Sequence, residues 1–281
     1  MIGKSKIQLS GSAEELFGLL EQLKEGDSKA EANKKWGCLA MVVGVLFFVG
    51  ASQAQALARQ LPPVLMLLGL VTLVGGLIAW WYFNRYDLDD NIQDTAKELI
   101  TYLQEDLGSK GKVQLDLNFG SPTDKSCQIR KDPPKKSGGF FGSKTTTTTH
   151  YKHPTISLKT RLQDGTALSL TLFQRVKYQS IKKRKGTKTK YRTRTFTRGI
   201  VALRAEVPKE KYGELSGLAG ILQRAPLQEF QVGKVDVQGQ TLRATLNAPF
   251  GSGRVESHSC LKVLVWLYYG LKQMKAGRIS A

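Results

Sequence analysis

Two uncharged stretches near the N-terminus, Trp36 to Ala58 and Leu61 to Asn84, constrain this chain more than any other feature of it. They run 23 and 24 residues with only Arg59 and Gln60 between them, and about 20 apolar residues cross the hydrocarbon core of a bilayer. The pattern predicts a two-helix transmembrane hairpin. Trp36 opens it and Trp80, Trp81 and Tyr82 close it, which is where interfacial aromatic residues belong. A secretory signal has a short basic lead, whereas the residues before Trp36 include six acids: Glu14, Glu15, Glu21, Glu25, Asp27 and Glu31.

Orientation follows from the flanking charges, because Lys and Arg in short flanks stay on the cytoplasmic side. Lys29, Lys34 and Lys35 precede the first stretch and Arg85 follows the second, against Arg59 alone in the turn. Both termini are therefore expected in the cytoplasm. Small residues recur every seven positions, at Gly37, Gly44, Ala51 and Ala58, and again at Gly69 and Gly76. Small residues let helix backbones approach closely in lipid, and the seven-residue period suits a left-handed antiparallel pair. Neither stretch holds Asp, Glu, Lys, Arg or His, the usual marks of an ion or proton pathway. That argues for an anchor rather than a pump.

The chain has 42 basic and 23 acidic residues, and from Arg85 onward 35 are basic and 17 acidic, a net of +18. The excess belongs to the C-terminal part, which is long enough to bury its own core. Cys38, Cys127 and Cys260 form no paired framework, as expected in a reducing compartment.

Periodicity predicts a short amphipathic helix at about Ala13 to Lys24, with Ser12 and Glu15 as a capping box, and a second from Ile92 to Leu107 ended by Gly108. Lys112 to Phe119 alternates as a strand. Pro122 to Lys144, rich in Pro, Gly and Lys, is expected to be a mobile loop. Thr155 to Gln163 and Thr166 to Tyr178 flank an Asp164-Gly165 turn and predict a hairpin. A strand is expected at about Thr187 to Val207, and Lys234 to Val237 with Thr241 to Asn247 predict another hairpin. Gly213 to Gln223 reads as a short helix between them, and Arg254 to Lys275 as a closing core helix. The fold class is a membrane α-helical hairpin plus a cytoplasmic α+β domain, mainly antiparallel sheet with flanking helices. Its expected segments are 1–35, 36–84 and 85–281.

The most distinctive soluble segment, Arg175 to Arg198, holds 11 basic residues and no acid: Arg175, Lys177, Lys182, Lys183, Arg184, Lys185, Lys188, Lys190, Arg192, Arg194 and Arg198. From Thr187 onward Thr or Tyr alternates with Lys or Arg, so a strand here has one cationic face. It suits a solvated edge that resists aggregation, the anionic leaflet of a membrane, or a nucleic acid or acidic protein.

Other motifs fall short. Gly138 to Thr145 lacks the contiguous Gly-Lys-Thr of a phosphate loop, and Gly251-Ser252-Gly253 lacks a third fingerprint glycine. Asp87, Asp89, Asn91, Thr95 and Glu98 have calcium-loop spacing, but Ile92 stands where Gly is needed. His150 with His153, and His258 with Cys260, are two incomplete pairs of metal ligands. No catalytic constellation, metal site or cofactor is implied. The expectation is a two-pass membrane protein with a basic, non-enzymatic binding or scaffolding domain for an anionic surface. A membrane-tethered enzyme or an accessory subunit of a transport complex stays open as the alternative.

Overall fold

A computed structural model describes residues 6–54, 61–84, 88–108, 111–139, 142–185, 187–224, 227, 230–248 and 257–279. The chain divides into two compact units, one of Gly18–Asp90 and the other of Ser5–Phe17 with Asn91–Ala281. The long helices are thus inserted into the sheet unit, after its first strand.

That strand, β1 (Lys6–Gly11), leads into α1 (Ala13–Ala54), which starts on the capping box. Ser12 Oγ accepts from Glu15 N–H at 3.2 Å, and a Glu15 carboxylate oxygen accepts from Ser12 N–H at 2.9 Å. The expected short helix does not stop near Lys24. Gly26, Asp27 and Ser28 are weak helix formers, but good ones flank them, and i,i+4 pairs Glu25–Lys29 and Glu31–Lys35 carry the helix on without a break. At 42 residues it spans about 63 Å.

α2 (Leu61–Phe83) follows, with Pro62 and Pro63 in its first turn, where missing N–H groups cost little. α1 and α2 are both long and apolar enough to cross a membrane. The connection at 55–60 lies outside the described residues. Asp27, buried in α1, accepts a 2.7 Å hydrogen bond from Leu88 N–H, tying the chain beyond α2 to α1.

In the second unit, α3 (Asp90–Leu107) buries Ala96, Leu99, Ile100, Leu103 and Leu107 and ends at Gly108, whose φ of 64° suits glycine. The remaining strands are β2 (Val113–Asn118), β3 (Gln128–Lys131), β4 (Lys135–Gly139), β5 (Gly142–Arg161), β6 (Ala167–Lys185), β7 (Lys188–Glu206), β8 (Gln231–Gln238) and β9 (Thr241–Asn247). Short helices α4 (Lys209–Tyr212) and α5 (Leu218–Arg224) precede β8, and α6 (Ser257–Ile279) closes the chain.

Every pairing is antiparallel, in the order β1-β2-β5-β6-β7-β9-β8, with β3 and β4 also on β5. The register explains the core. One row across all seven strands reads Leu9, Leu115, Leu158, Leu170, Leu203, Ala244, Val235, and the next reads Ile7, Leu117, Ile156, Leu172, Val201, Leu246, Val232. The other face carries Asp116, Ser157, Thr171, Ala202 and Thr245 at matching positions. A sheet with one apolar face needs a cover. α6 packs against α4 and α5 and buries Cys260, Val263, Leu264, Trp266 and Leu267, with Trp266 Nε1 donating to Leu222 O at 3.0 Å.

The Asp164-Gly165 turn between β5 and β6 is pinned by Asp164, which accepts from Thr166 N–H, Thr166 hydroxyl and Tyr212 hydroxyl. Burial first, then Asp164, pushes the Tyr212 phenol up to about 12.

Two expectations need correction. Pro122 to Lys144 is not one loop: it contains a 3-10 turn at Lys125–Cys127, β3, β4 and the start of β5. The N-terminal segment is also more than a helix, because β1 pairs with β2 from Lys6↔Asn118 to Gly11↔Val113. Leu16, on the first turns of α1, is 0% exposed. Deleting Lys6–Gly11 should therefore uncover the β2 edge and destabilise the sheet unit by about 3 kcal/mol or more. Thermal unfolding of the full chain with and without the strand measures this, and an unchanged transition would contradict the pairing.

Candidate anion-binding surface

β5, β6 and β7 outrun the rest of the sheet. β2 pairs with β5 only from Ile156 onward and β9 with β7 only from Ile200, while β6 and β7 stay paired out to Lys185↔Lys188. The result is an arm of β7, β6 and β5, with β3 and β4 along its far side, extending about 40 Å. Two strands alone are marginal in water; here the added strands supply the width.

The arm's two faces follow from the register. β6 and β7 pair through 19 positions without a shift. Positions facing the core in the body continue along the arm as Val176–Thr197, Tyr178–Thr195, Ser180–Thr193, Lys182–Tyr191 and Arg184–Thr189. The opposite face carries Arg175–Arg198, Lys177–Phe196, Gln179–Arg194, Ile181–Arg192, Lys183–Lys190 and Lys185–Lys188. Of the 11 basic residues of this segment, nine fall on that face, and Lys182 and Arg184 fall on the other.

β5 adds to the cationic face because of one irregularity. Its register shifts between Pro154 and Ile156, so Thr155 is an extra residue where body meets arm. Such a bulge reverses which side chains point which way. Lys152 pairs with Arg175 and Lys144 with Lys183, on the cationic face, while His153 and Tyr151 turn to the other.

Like charges stand directly opposite at Arg175↔Arg198, Lys183↔Lys190 and Lys185↔Lys188. Such pairs oppose strand pairing. Ile181 is nonetheless buried in this face, as when long cationic stems lie over an apolar neighbour. Lys188 to Phe196 is exposed throughout, with Tyr191 72% and Phe196 44% exposed. Lys152 Nζ lies 4.0 Å from the Phe173 ring centroid, and Lys182 Nζ 5.8 Å from that of Tyr191.

Acid enters the arm beside β3. Asp132 accepts from Arg130 Nε at 2.8 Å and faces His150 Nε2 at 3.1 Å, and these partners, His150 foremost, hold its carboxyl below the ordinary range. His150 and His153 lie on opposite faces of β5 and cannot share a metal. His153 is 2% exposed with neither ring nitrogen partnered among the described residues, and burial lowers its pKa. The Gly138 to Thr145 segment belongs to the β4–β5 pair, with 140–141 outside the described residues, and no helix follows it. Asn91, Thr95 and Glu98 lie on α3 rather than in a loop. Gly251 to Gly253 and the His258 side chain lie outside the described residues.

The small residues of the helix unit come together differently. A Cβ on Gly37 would lie 3.0 Å from Trp80 N and one on Gly44 2.8 Å from Leu73 N; Gly69 and Gly76 would meet the carbonyls of Gly44 and Gly37 at 3.0 and 2.8 Å. The order of these approaches makes α1 and α2 antiparallel. Ala51 is fully buried, and Ala58 lies outside the described residues. Gly50 and Gly75 have open space around them. No protein-family model, curated protein or solved structure matches the chain.

Gly44→Leu should force α1 and α2 apart and cost about 1–3 kcal/mol, whereas Gly75→Ala, with open space around it, should leave stability unchanged or raise it by up to about 1 kcal/mol. Thermal unfolding in detergent distinguishes the two. Equal effects would contradict the close approach.

Proposed function

We propose that this chain is a two-pass integral membrane protein whose sheet unit lies in the cytoplasm and uses its arm as a non-enzymatic binding module for an anionic surface. Lipid headgroups, nucleic acid and acidic protein share the required chemistry. The anchor reading is supported by two helices long and apolar enough to cross a bilayer, free of Asp, Glu, Lys, Arg and His through the stretches Trp36 to Ala58 and Leu61 to Asn84. Their glycine-to-backbone approaches leave little room between them for a conduit. The cytoplasmic placement is supported by the basic flanks.

One observation carries the binding reading: the β6–β7 register places two exposed like-charged pairs, Lys183↔Lys190 and Lys185↔Lys188, directly opposite one another, with Arg175↔Arg198, whose half-buried Arg198 donates to Ala248 O, at the base of the arm. Solvated edges use scattered Lys to resist aggregation, but opposed cations add a cost with no gain in pairing. An anion laid across the face turns that repulsion into attraction.

The test uses the full chain in neutral nanodiscs with vesicles containing phosphatidylglycerol. Each Lys or Arg near an anionic surface contributes about 1 kcal/mol. Replacing Lys188, Lys190, Arg192 and Arg194 together with Ser should weaken binding by about a hundredfold or more at low salt. Wild-type binding should also fall as salt rises. Binding unaffected by either change would contradict the proposal.

A further inference from the structure

We infer that the outer edge of β7, from Thr189 to Thr197, accepts an extended acidic polypeptide segment as an added strand. This rests on the arm being an anion-binding surface and names the partner that its geometry fits.

Beyond Ile200 towards the arm tip, β7 pairs with β6 on one side, and among the described residues no strand pairs with the other. The direction of its outer backbone groups can be read from the point where β9 ends. Ala248 N–H donates to Gly199 O at 2.9 Å, so the polar groups of Gly199 face away from β6. Backbone groups alternate sides along a strand. Thr189, Tyr191, Thr193, Thr195 and Thr197 therefore present their N–H and C=O outward. The intervening residues, Lys190, Arg192 and Arg194 among them, bond inward to β6.

Among the described residues this edge lacks three of the devices that usually blunt one. Natural edges are short, bulged, or broken by Pro, whereas this one runs about 27 Å with no register shift against β6 and no Pro. Charge is its one protection, and charge is selective. A second copy would set Lys and Arg opposite Lys and Arg, which is unfavourable. A guest with an acid at every second position would bring carboxylates beside Lys190, Arg192 and Arg194, which recur about 6.8 Å apart along the strand. Strand addition would then supply backbone hydrogen bonds, and the cationic positions selectivity. A nucleic acid would use the charges and Phe196 but has no use for an open ladder.

The probe is a fluorescent peptide alternating Glu and Val, titrated by anisotropy against the full chain in detergent. It should bind, and the same peptide N-methylated at alternate amides should bind at least about tenfold more weakly at identical charge. On the protein side, Thr193→Pro removes an outward N–H while leaving every charge and the β6 pairing intact, as an edge strand tolerates. This variant should lose the peptide by at least about tenfold yet keep the wild-type thermal transition, which shows that it is folded, and bind phosphatidylglycerol vesicles as the wild type does. Equal binding of the methylated peptide, or undiminished peptide binding by a folded Thr193→Pro, would overturn strand addition and leave the anionic-surface reading standing. Tighter binding of a single-stranded oligonucleotide of equal charge would overturn it in favour of nucleic acid. If the wild type binds neither peptide nor vesicles, both readings fail.

Discussion

Within the sheet unit, the uninterrupted β6–β7 register decides which side chains are buried together and which lie opposite one another on the arm. Near the turn at Asp164-Gly165 it sets Leu168, Leu170 and Leu172 against Ala205, Leu203 and Val201, and burial of those pairs fixes which residue opposes which. A slip by one position would turn the whole apolar set to the wrong face. Because the same ladder runs on into the arm, the core also decides which residues of the arm share a side. The charges do not choose their own positions: apolar packing in the body holds like charges opposite one another farther out. The bulge at Thr155 is the complementary device on β5. It keeps Ile156 in the core and still delivers Lys152 and Lys144 to the cationic face.

The helix pair enters this architecture as an insertion. β1 pairs with β2, which follows it only after α1, α2 and α3, so the sheet is completed only when the two flanks of the insertion meet. The helix unit thus interrupts the sheet unit in sequence rather than preceding it. A fragment beginning after α2 lacks β1 and Leu16 and exposes the β2 edge. Studies of the arm are for that reason best made on the full chain.

Much of this was legible in the amino-acid sequence, for identifiable reasons. The apolar stretches carry a signal by length alone, and α3, β2, β7 and the β8–β9 hairpin have clean periods of 3.6 or 2. The arm was legible in part: the Thr and Lys alternation of β7 is plain, but its third strand is not. In β5 the run Thr145 to Thr149 has no apolar alternation, and its β-branched residues gain strand character from β6 on one side and β3 and β4 on the other. β3 and β4 hide among Pro133, Pro134, Gly138 and Gly139, residues that ordinarily signal a loop. β1 was missed because six residues next to a capping box give too short a pattern to separate from a helix lead. The bulge at Thr155 has no local signature, and without it the faces of β5 cannot be assigned. The outward edge of β7 was equally out of reach, since it depends on where β9 stops.

We propose that a membrane anchor holds the basic sheet unit on the cytoplasmic side, and thiol accessibility decides it. Cys260 is buried, with burial pushing its thiol up to about 12, so it stays unreactive in the folded chain. In a Cys38→Ala background, Cys127 beside β3 is then the reporter. A membrane-impermeant maleimide should leave Cys127 unlabelled in intact cells and label it once the membrane is opened. Labelling of Cys127 in intact cells would put the cationic arm outside and contradict a cytoplasmic sheet unit.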